Sequence, residues 1–150
     1  MSTTFIMLKP DAMAKGLENE ILAVFQKEGI DVLRSKSVKI DEALILKHYE
    51  EVIQRVDIPG FADRLKREFV GQTVRIFELH SDHEHIYEKV RQLIGPTEPV
   101  KAGPDTIRGR FSTDSYDQAK REDRPVRNLI HASDSEESAA REIALWFNHN

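Results

Sequence analysis

"TFIMLKPDAMAKGLENEILAVFQKEGIDVLRSKSVKI", Thr4 to Ile40, decides the fold. Thr4 to Leu8 reads as one continuous apolar run, which is a strand buried on both faces or nearly so. Pro10 closes it. Leu17, Ile21, Leu22 and Phe25 then recur at helical spacing, and Gly29 ends that helix. Val32, Leu33, Val38 and Ile40 mark a second strand over Ile30 to Ile40. A strand, a helix and a strand within so short a span form a unit that packs a helix on a sheet.

Further along, Asp41 is a good N-cap for a helix through Leu44 to Ile53. Pro59-Gly60 breaks the chain, and Phe61, Leu65 and Phe69 make a helical stripe that stops at Gly71. Thr73 to Leu79 is a third strand. Ile86, Val90, Leu93 and Ile94 form a helix ended by Gly95-Pro96. Pro96 to Pro125 has no clean period and reads as a long irregular segment of the functional or mobile kind. Val126 to Ile130 is the last strand and Ser135 to Phe147 the last helix. The order is β-α-β-α-α-β-α-loop-β-α. It predicts an α/β (α+β) sandwich of the ferredoxin-like βαββαβ kind, a four-stranded antiparallel sheet with helices packed on it.

The chain has 150 residues, 39% of them apolar and 32% charged, which suits one folded domain rather than a disordered segment. No apolar run approaches the roughly 20 residues that span a bilayer, so no membrane partner is expected. The absence of cysteine rules out disulfides and thiolate chemistry, and it is compatible with the cytoplasm. A formal net charge of −4 argues against a nucleic-acid partner held by bulk electrostatics, so any anionic ligand must be gripped by local cations.

Three stretches carry candidate chemistry. In "VRNLIHASDSEES", Val126 to Ser138, His131 stands where a strand hands over to a helix. Ser133 or Asp134 is placed to cap that helix, with Glu136 completing a capping box from Ser133. His131 fits either a packed strand-end residue or a nucleophile or acid–base group. An imidazole of ordinary pKa, about 6.5, is largely neutral at pH 7, so one nitrogen can attack an electrophile. The other must be pinned to fix the tautomer, by Glu142 or by a backbone carbonyl. The nearby helix N-terminus favours an anion such as a phosphate. In "KPD", Lys9 follows a buried strand and is either a solvated loop lysine or a ligand-reaching one. "GPTEPVKAGPDTIRGRF", Gly95 to Phe111, is a proline-stiffened loop whose Arg108 and Arg110 suit phosphate oxygens. It is not a Walker loop. "HSDHEH", His80 to His85, offers metal-ligand chemistry, but the residues fan outward at a strand-to-helix turn and read as solvated.

Taken in order, these pieces resemble the nucleoside diphosphate kinase family over essentially the whole chain. "TFIMLKPDAMAKGL" is similar to the family's opening strand and K-P-D. His48-Tyr49 falls where the family carries H-Y. "GPTEP" and "GPDTIRGRF" resemble its G-x-T-x-P and P-G-T-I-R-G-D-F segments. "RNLIHASDSEESAAREIALWF" resembles its N-x-I-H-x-S-D-S signature with the following helix. The resemblance implies transfer of the terminal phosphate of a nucleoside triphosphate, chiefly ATP, to a nucleoside diphosphate, by a ping-pong route through a phosphohistidine.

Residue by residue, it implies His131 as the nucleophile through Nδ1, with Ser133 and Glu142 orienting it. It implies Lys9, Tyr49, Arg91, Thr97, Arg108 and Asn128 as holders of phosphates and ribose. Mg2+ would come with the nucleotide, with Asp134 reaching it through water. Departures exist. Gly60 takes the place of the aromatic that commonly stacks on the base, so Phe61 becomes the base clamp. Arg110 replaces an acidic residue, Lys15 stands where arginine is common, and Ala132 where glycine is common. Fifteen residues, "STDSYDQAKREDRPV" (112–126), form an insertion longer than most members carry. The Lys101 loop implies a hexamer, while the short tail also allows a tetramer or dimer. Two other readings use the same residues: a non-catalytic nucleotide or single-stranded nucleic-acid binding module, and a protein that passes phosphate from His131 to a partner's aspartate.

Overall fold

A computed structural model describes residues 2–149. Its strands are β1 (Ser2–Leu8), β2 (Asp31–Lys39), β3 (Thr73–Ser81) and β4 (Ile130–Ala132). They form one sheet in the order β2-β3-β1-β4, every neighbouring pair antiparallel. That is the strand order of the expected sandwich. The helices α1 (Pro10–Ala14), α2 (Glu18–Lys27) and α3 (Glu42–His48) come first. They are followed by α4 (Glu50–Val56), α5 (Phe61–Phe69), α6 (Ile86–Ile94), α7 (Ile107–Phe111), α8 (Tyr116–Arg121) and α9 (Glu136–Phe147).

The continuous apolar run of β1 follows from its place. Side chains alternate along a strand, and β1 is central, so both of its faces are covered. Ile6 and Leu8 enter a core with Ile21, Phe25, Phe77 and Val90. Phe5 and Met7 enter a second core with Leu44, Leu65, Phe69 and Trp146. Helices α2 and α6 thus cover one face, and α3, α5 and α9 the other. The stripe of Phe61, Leu65 and Phe69 is core as expected at Leu65 and Phe69, while Phe61 is only half-buried.

Four local expectations are corrected. The helix expected from Leu44 to Ile53 is two helices that break at Tyr49, where φ is −97° and ψ 12°. Leu44, Ile45 and His48 anchor α3 in the core, whereas α4 has no buried residue and is free to change direction. The segment read as irregular contains α7 and α8. Each begins on a hydroxyl cap, Thr106 accepting from Gly109 N–H and Ser115 from Gln118 N–H. Each is too short to show a period, burying only Ile107 or Ala119. Gly109 allows close approach, since a Cβ there would collide with the Gly103 carbonyl oxygen.

The last strand is β4, later than Val126 to Ile130, because Leu129 has a φ of 73° and kinks the chain before it reaches the sheet. The cap of α9 is Ser135, not Ser133 or Asp134, and its box partner is Ser138 rather than Glu136. Ser133 is instead fully buried and turned inward. Ser135→Ala removes a cap worth about 1 kcal/mol and is expected to lower the melting temperature by about 3 °C, read by calorimetry, with the site intact.

Candidate active site

His131 sits in the middle of β4, opposite Met7 of β1, so the sheet fixes its backbone. Its side chain is 22% exposed and points to an open cleft. Nε2–H donates to Glu142 Oε1 at 2.9 Å, and the Ser133 hydroxyl donates to the same oxygen at 2.5 Å. Glu142 lies on α9, so the helix that follows the histidine folds back to hold it. Burial alone would raise the Glu142 pKa, but the hydrogen bond and charge of His131, then His48 and Ser133, hold it below the usual carboxylate range. An ionised carboxylate therefore faces Nε2–H, and the tautomer is fixed with the Nδ1 lone pair free.

Behind this pair stands His48. Trp146 Nε1–H donates to His48 Nδ1 at 2.9 Å, and the His48 ring meets the His131 ring edge-on at 4.5 Å between centroids. Burial, then the neighbouring His131, pushes the His48 pKa well below its ordinary value, so His48 is neutral. Because Nδ1 accepts from Trp146, the His48 proton is on Nε2. His48, His131 and Glu142 bring their donor atoms within 4.8 Å of one another, the spacing of a metal site. The protonated His48 Nε2 has no lone pair to give, so this set does not suit a transition metal. His80 to His85 do not converge on such a group among the described residues. His83 instead contacts Glu28 O through its ring, and its N–H donates to Ser81 Oγ.

The cations are assembled by the kink at Leu129. A non-glycine residue at positive φ stores strain of about 1–3 kcal/mol, which its surroundings must offset. Here Leu129 N–H donates to Asp11 Oδ2 at 3.0 Å, and Leu129 O accepts from Lys9 N–H at 2.8 Å. The kink turns Asn128 inward, where Oδ1 accepts from Lys9 Nζ at 2.8 Å and Nδ2 donates to Thr97 O at 3.0 Å. Asn128 is thus a strut between the first strand and the proline-rich loop. Arg108 is aimed by three backbone carbonyls, those of Asn128, Gly95 and Ile130. Arg91 Nη1 donates to Ala132 O at 3.1 Å. Burial lowers the Lys9 pKa to about 8, partly countered by Asp11. Burial and then Arg91 lower that of Arg108 to about 10. Burial, then Glu142, raises that of the Tyr49 phenol.

These groups surround a cavity of about 420 Å3. Lys9, Tyr49, Phe61, Arg91, Thr97, Arg108, Asn128, His131, Asp134 and Glu142 all line it. Ser133 does not, and it meets His131 only through Glu142. Sequence reading missed Val52, Arg55, Tyr116, Pro125 and Arg141. The break at Tyr49 swings α4 over the cleft, and the segment 112–126 brings in Tyr116. Neither event has a local signature. A separate, broader hollow of about 770 Å3 is lined by Lys15, Arg67, Arg124 and Arg127. Its arginines are already paired, with Asp123, Asp114 and Glu68, so it offers less to an anion than the smaller cleft does.

A pinned imidazole facing a buried lysine and two arginines defines a class: a phosphotransferase acting on small anionic substrates. The comparisons with known proteins agree. Residues 2–150 match the family model described as nucleoside diphosphate kinase. A nucleoside diphosphate kinase of Pyrococcus horikoshii is 38% identical over 144 residues, covering 96% of this chain and 83% of that protein. The structure of a transition-state mimic of the Borrelia burgdorferi nucleoside-diphosphate kinase, with vanadate and ADP bound, is similar at a TM-score of 0.89 and 32% identity. It covers 99% of this chain and 88% of that one. An NDP kinase structure from Pyrobaculum aerophilum has a TM-score of 0.85 and 33% identity, covering 98% and 96% of the two chains.

The chain belongs to the nucleoside diphosphate kinase family. Its activity is transfer of a nucleoside triphosphate's terminal phosphate to a nucleoside diphosphate, by the family's ping-pong phosphohistidine route.

Proposed function

We propose that His131 Nδ1 is the phosphate carrier and that the whole chain forms one catalytic domain, with 112–126 as an insertion at the cleft. The single observation that supports this is the 2.9 Å bond from Nε2–H to Glu142, which leaves Nδ1 as the free nucleophilic nitrogen. The Nδ1 lone pair attacks the γ-phosphorus, and the bond from that phosphorus to the β-phosphate oxygen breaks. The diphosphate leaves with the electron pair. Nε2–H stays where it is, and Glu142 balances the positive charge that grows on the ring. The second half-reaction is the reverse, with another diphosphate in the vacated place.

Lys9, Arg91, Thr97 and Arg108 hold the phosphates, and Asn128 and Tyr49 hold the ribose, with Asn128 also steadying Lys9. Phe61, half-buried at the start of α5, contacts the base. Mg2+ fits as a passenger of the nucleotide, since a hard cation prefers phosphate oxygens and water. When bound, it neutralises phosphate charge. Asp134 lines the cleft and suits an outer contact through water. The bond from Ser138 Oγ keeps its carboxyl below the ordinary range. The donor is chiefly ATP.

The enzyme is read as cytoplasmic and as assembling with copies of itself, as a hexamer first, with a tetramer or dimer as alternatives for light scattering. An open edge at β2, with Leu33 half-exposed, supports self-association. No stable nucleic-acid partner is expected. Among the described residues, no helix is long and apolar enough to cross a membrane.

Initial rates with ATP and GDP varied together test the reading. Parallel double-reciprocal lines are expected, while intersecting lines would mean both nucleotides bind at once. Lys9 adds a pH test. Its charged form is the one that grips phosphate, and in the free enzyme that form is lost above pH about 8. The value of kcat/KM, which reports the free enzyme, is expected to fall through that range. The limb in kcat should lie at higher pH, because bound phosphate stabilises the charged lysine. A kcat/KM flat to pH 9.5 would remove Lys9 from the phosphate site.

A further inference from the structure

The insertion at 112–126 is not a loose loop. Asp114 accepts from Arg124 through both carboxylate oxygens, at 2.8 and 3.0 Å, and from Arg127 N–H at 2.6 Å. Asp114 and Arg124 are each only 10% exposed, so water weakens that pair less than it would a surface one. Ser112 Oγ donates to Arg127 O at 3.1 Å, which closes the base of the insertion. Two further bonds tie it to the proline-rich loop. Val100 N–H donates to Asp114 O at 3.1 Å, and Tyr116 N–H donates to Glu98 Oε2 at 2.9 Å.

One aromatic stands out on this braced segment. Tyr116 opens α8, its backbone is pinned, and yet the residue is 52% exposed. It also lines the same cleft as His131, beside Pro125 and Val126 and with Phe61 on the wall. The lining therefore has two kinds of group. Lys9, Arg91 and Arg108 suit phosphates. Tyr116, Phe61, Pro125 and Val126 offer flat or apolar faces, and these suit a nucleobase, which has a π-face whatever its edge pattern. A phenol costs little conformational entropy to order, since it has only two side-chain torsions.

We infer that Tyr116 is a base-contacting residue, a wall of the nucleotide site that the insertion supplies. The inference rests on the reading of this cleft as the nucleotide site. The ring packs against the nucleobase and tolerates all bases, with the larger purines gaining most. The inserted helix is thus part of the binding site, and the Asp114–Arg124 pair is the brace that presents it.

Titration calorimetry separates base from phosphate. The wild-type chain, Tyr116→Ala and Tyr116→Phe are each titrated with MgADP and with base-free ribose 5-diphosphate plus Mg2+. Tyr116→Ala is expected to weaken MgADP about tenfold and the base-free ligand less than about twofold, while Tyr116→Phe keeps most of the MgADP affinity. Unchanged MgADP affinity in Tyr116→Ala overturns the inference, and so does an equal loss for both ligands, which would mark a general disturbance of the cleft. Either of these results, beside a wild-type chain that binds MgADP and transfers phosphate, leaves the kinase reading standing. A wild-type chain that binds neither ligand and transfers nothing overturns both.

Discussion

His131→Ala is expected to fold and to lose phosphoryl transfer by at least about 10^4-fold, the order seen when a covalent nucleophile is removed. No other imidazole in the cleft can replace it. His48 is the nearest other imidazole, but its Nδ1 already accepts from Trp146 and its Nε2 carries the proton. Folding should survive for a specific reason. Glu142 keeps the Ser133 hydroxyl at 2.5 Å and has Arg141 Nη2 at 3.7 Å, so its buried carboxylate is not left alone. The lysine, arginines and Asn128 are bonded to one another or to backbone, none of them through His131. MgADP affinity should therefore stay within about threefold, as read by calorimetry beside a coupled turnover assay. A variant retaining a few per cent of turnover would mean that another group carries the phosphate.

Glu142→Ala is the second large effect. Without the carboxylate, His131 can take either tautomer and turn about its side-chain bonds, and the charge that grows on the phosphorylated ring has no counter-ion. Lost pinning of a catalytic imidazole costs about 10^2- to 10^3-fold in kcat by analogy with other carboxylate–histidine pairs. KM should change little, because Glu142 touches the ring and not the phosphates. Glu142→Gln keeps an acceptor without the charge and should fall between the two. The split between kcat and KM is the informative readout. An equal loss in nucleotide affinity would mean that Glu142 props up the cleft rather than the histidine.

Much of this is legible in the amino-acid sequence. The unbroken run at β1 announces a central strand because both of its faces are covered, and the periodic stripes of α2, α5 and α6 announce helices because one face of each is buried. His131, Lys9, Arg108 and Asn128 are readable from motif, and they do converge on one cleft. Where the fold departs from local pattern, the cause is tertiary. Ser133 looks like a cap because it is a serine before a helix, but a buried carboxylate two turns along claims its hydroxyl. The strand expected at Val126 is deflected by a left-handed Leu129, which only the bonds to Asp11 and Lys9 make tolerable. Helices α7 and α8 are stabilised by single hydroxyl caps and by bonds to distant residues, so no period betrays them. His48 gives no sign of its role, because a histidine's neighbours across the core are not written beside it.

The most direct measurement is incubation with γ-labelled MgATP and no acceptor, followed by digestion and mapping of the label. The label should resist alkali, leave in acid, sit on Nδ1 of His131 and pass to added GDP as GTP. Bound nucleotide without label, or label on any residue other than His131, would contradict the account at its centre.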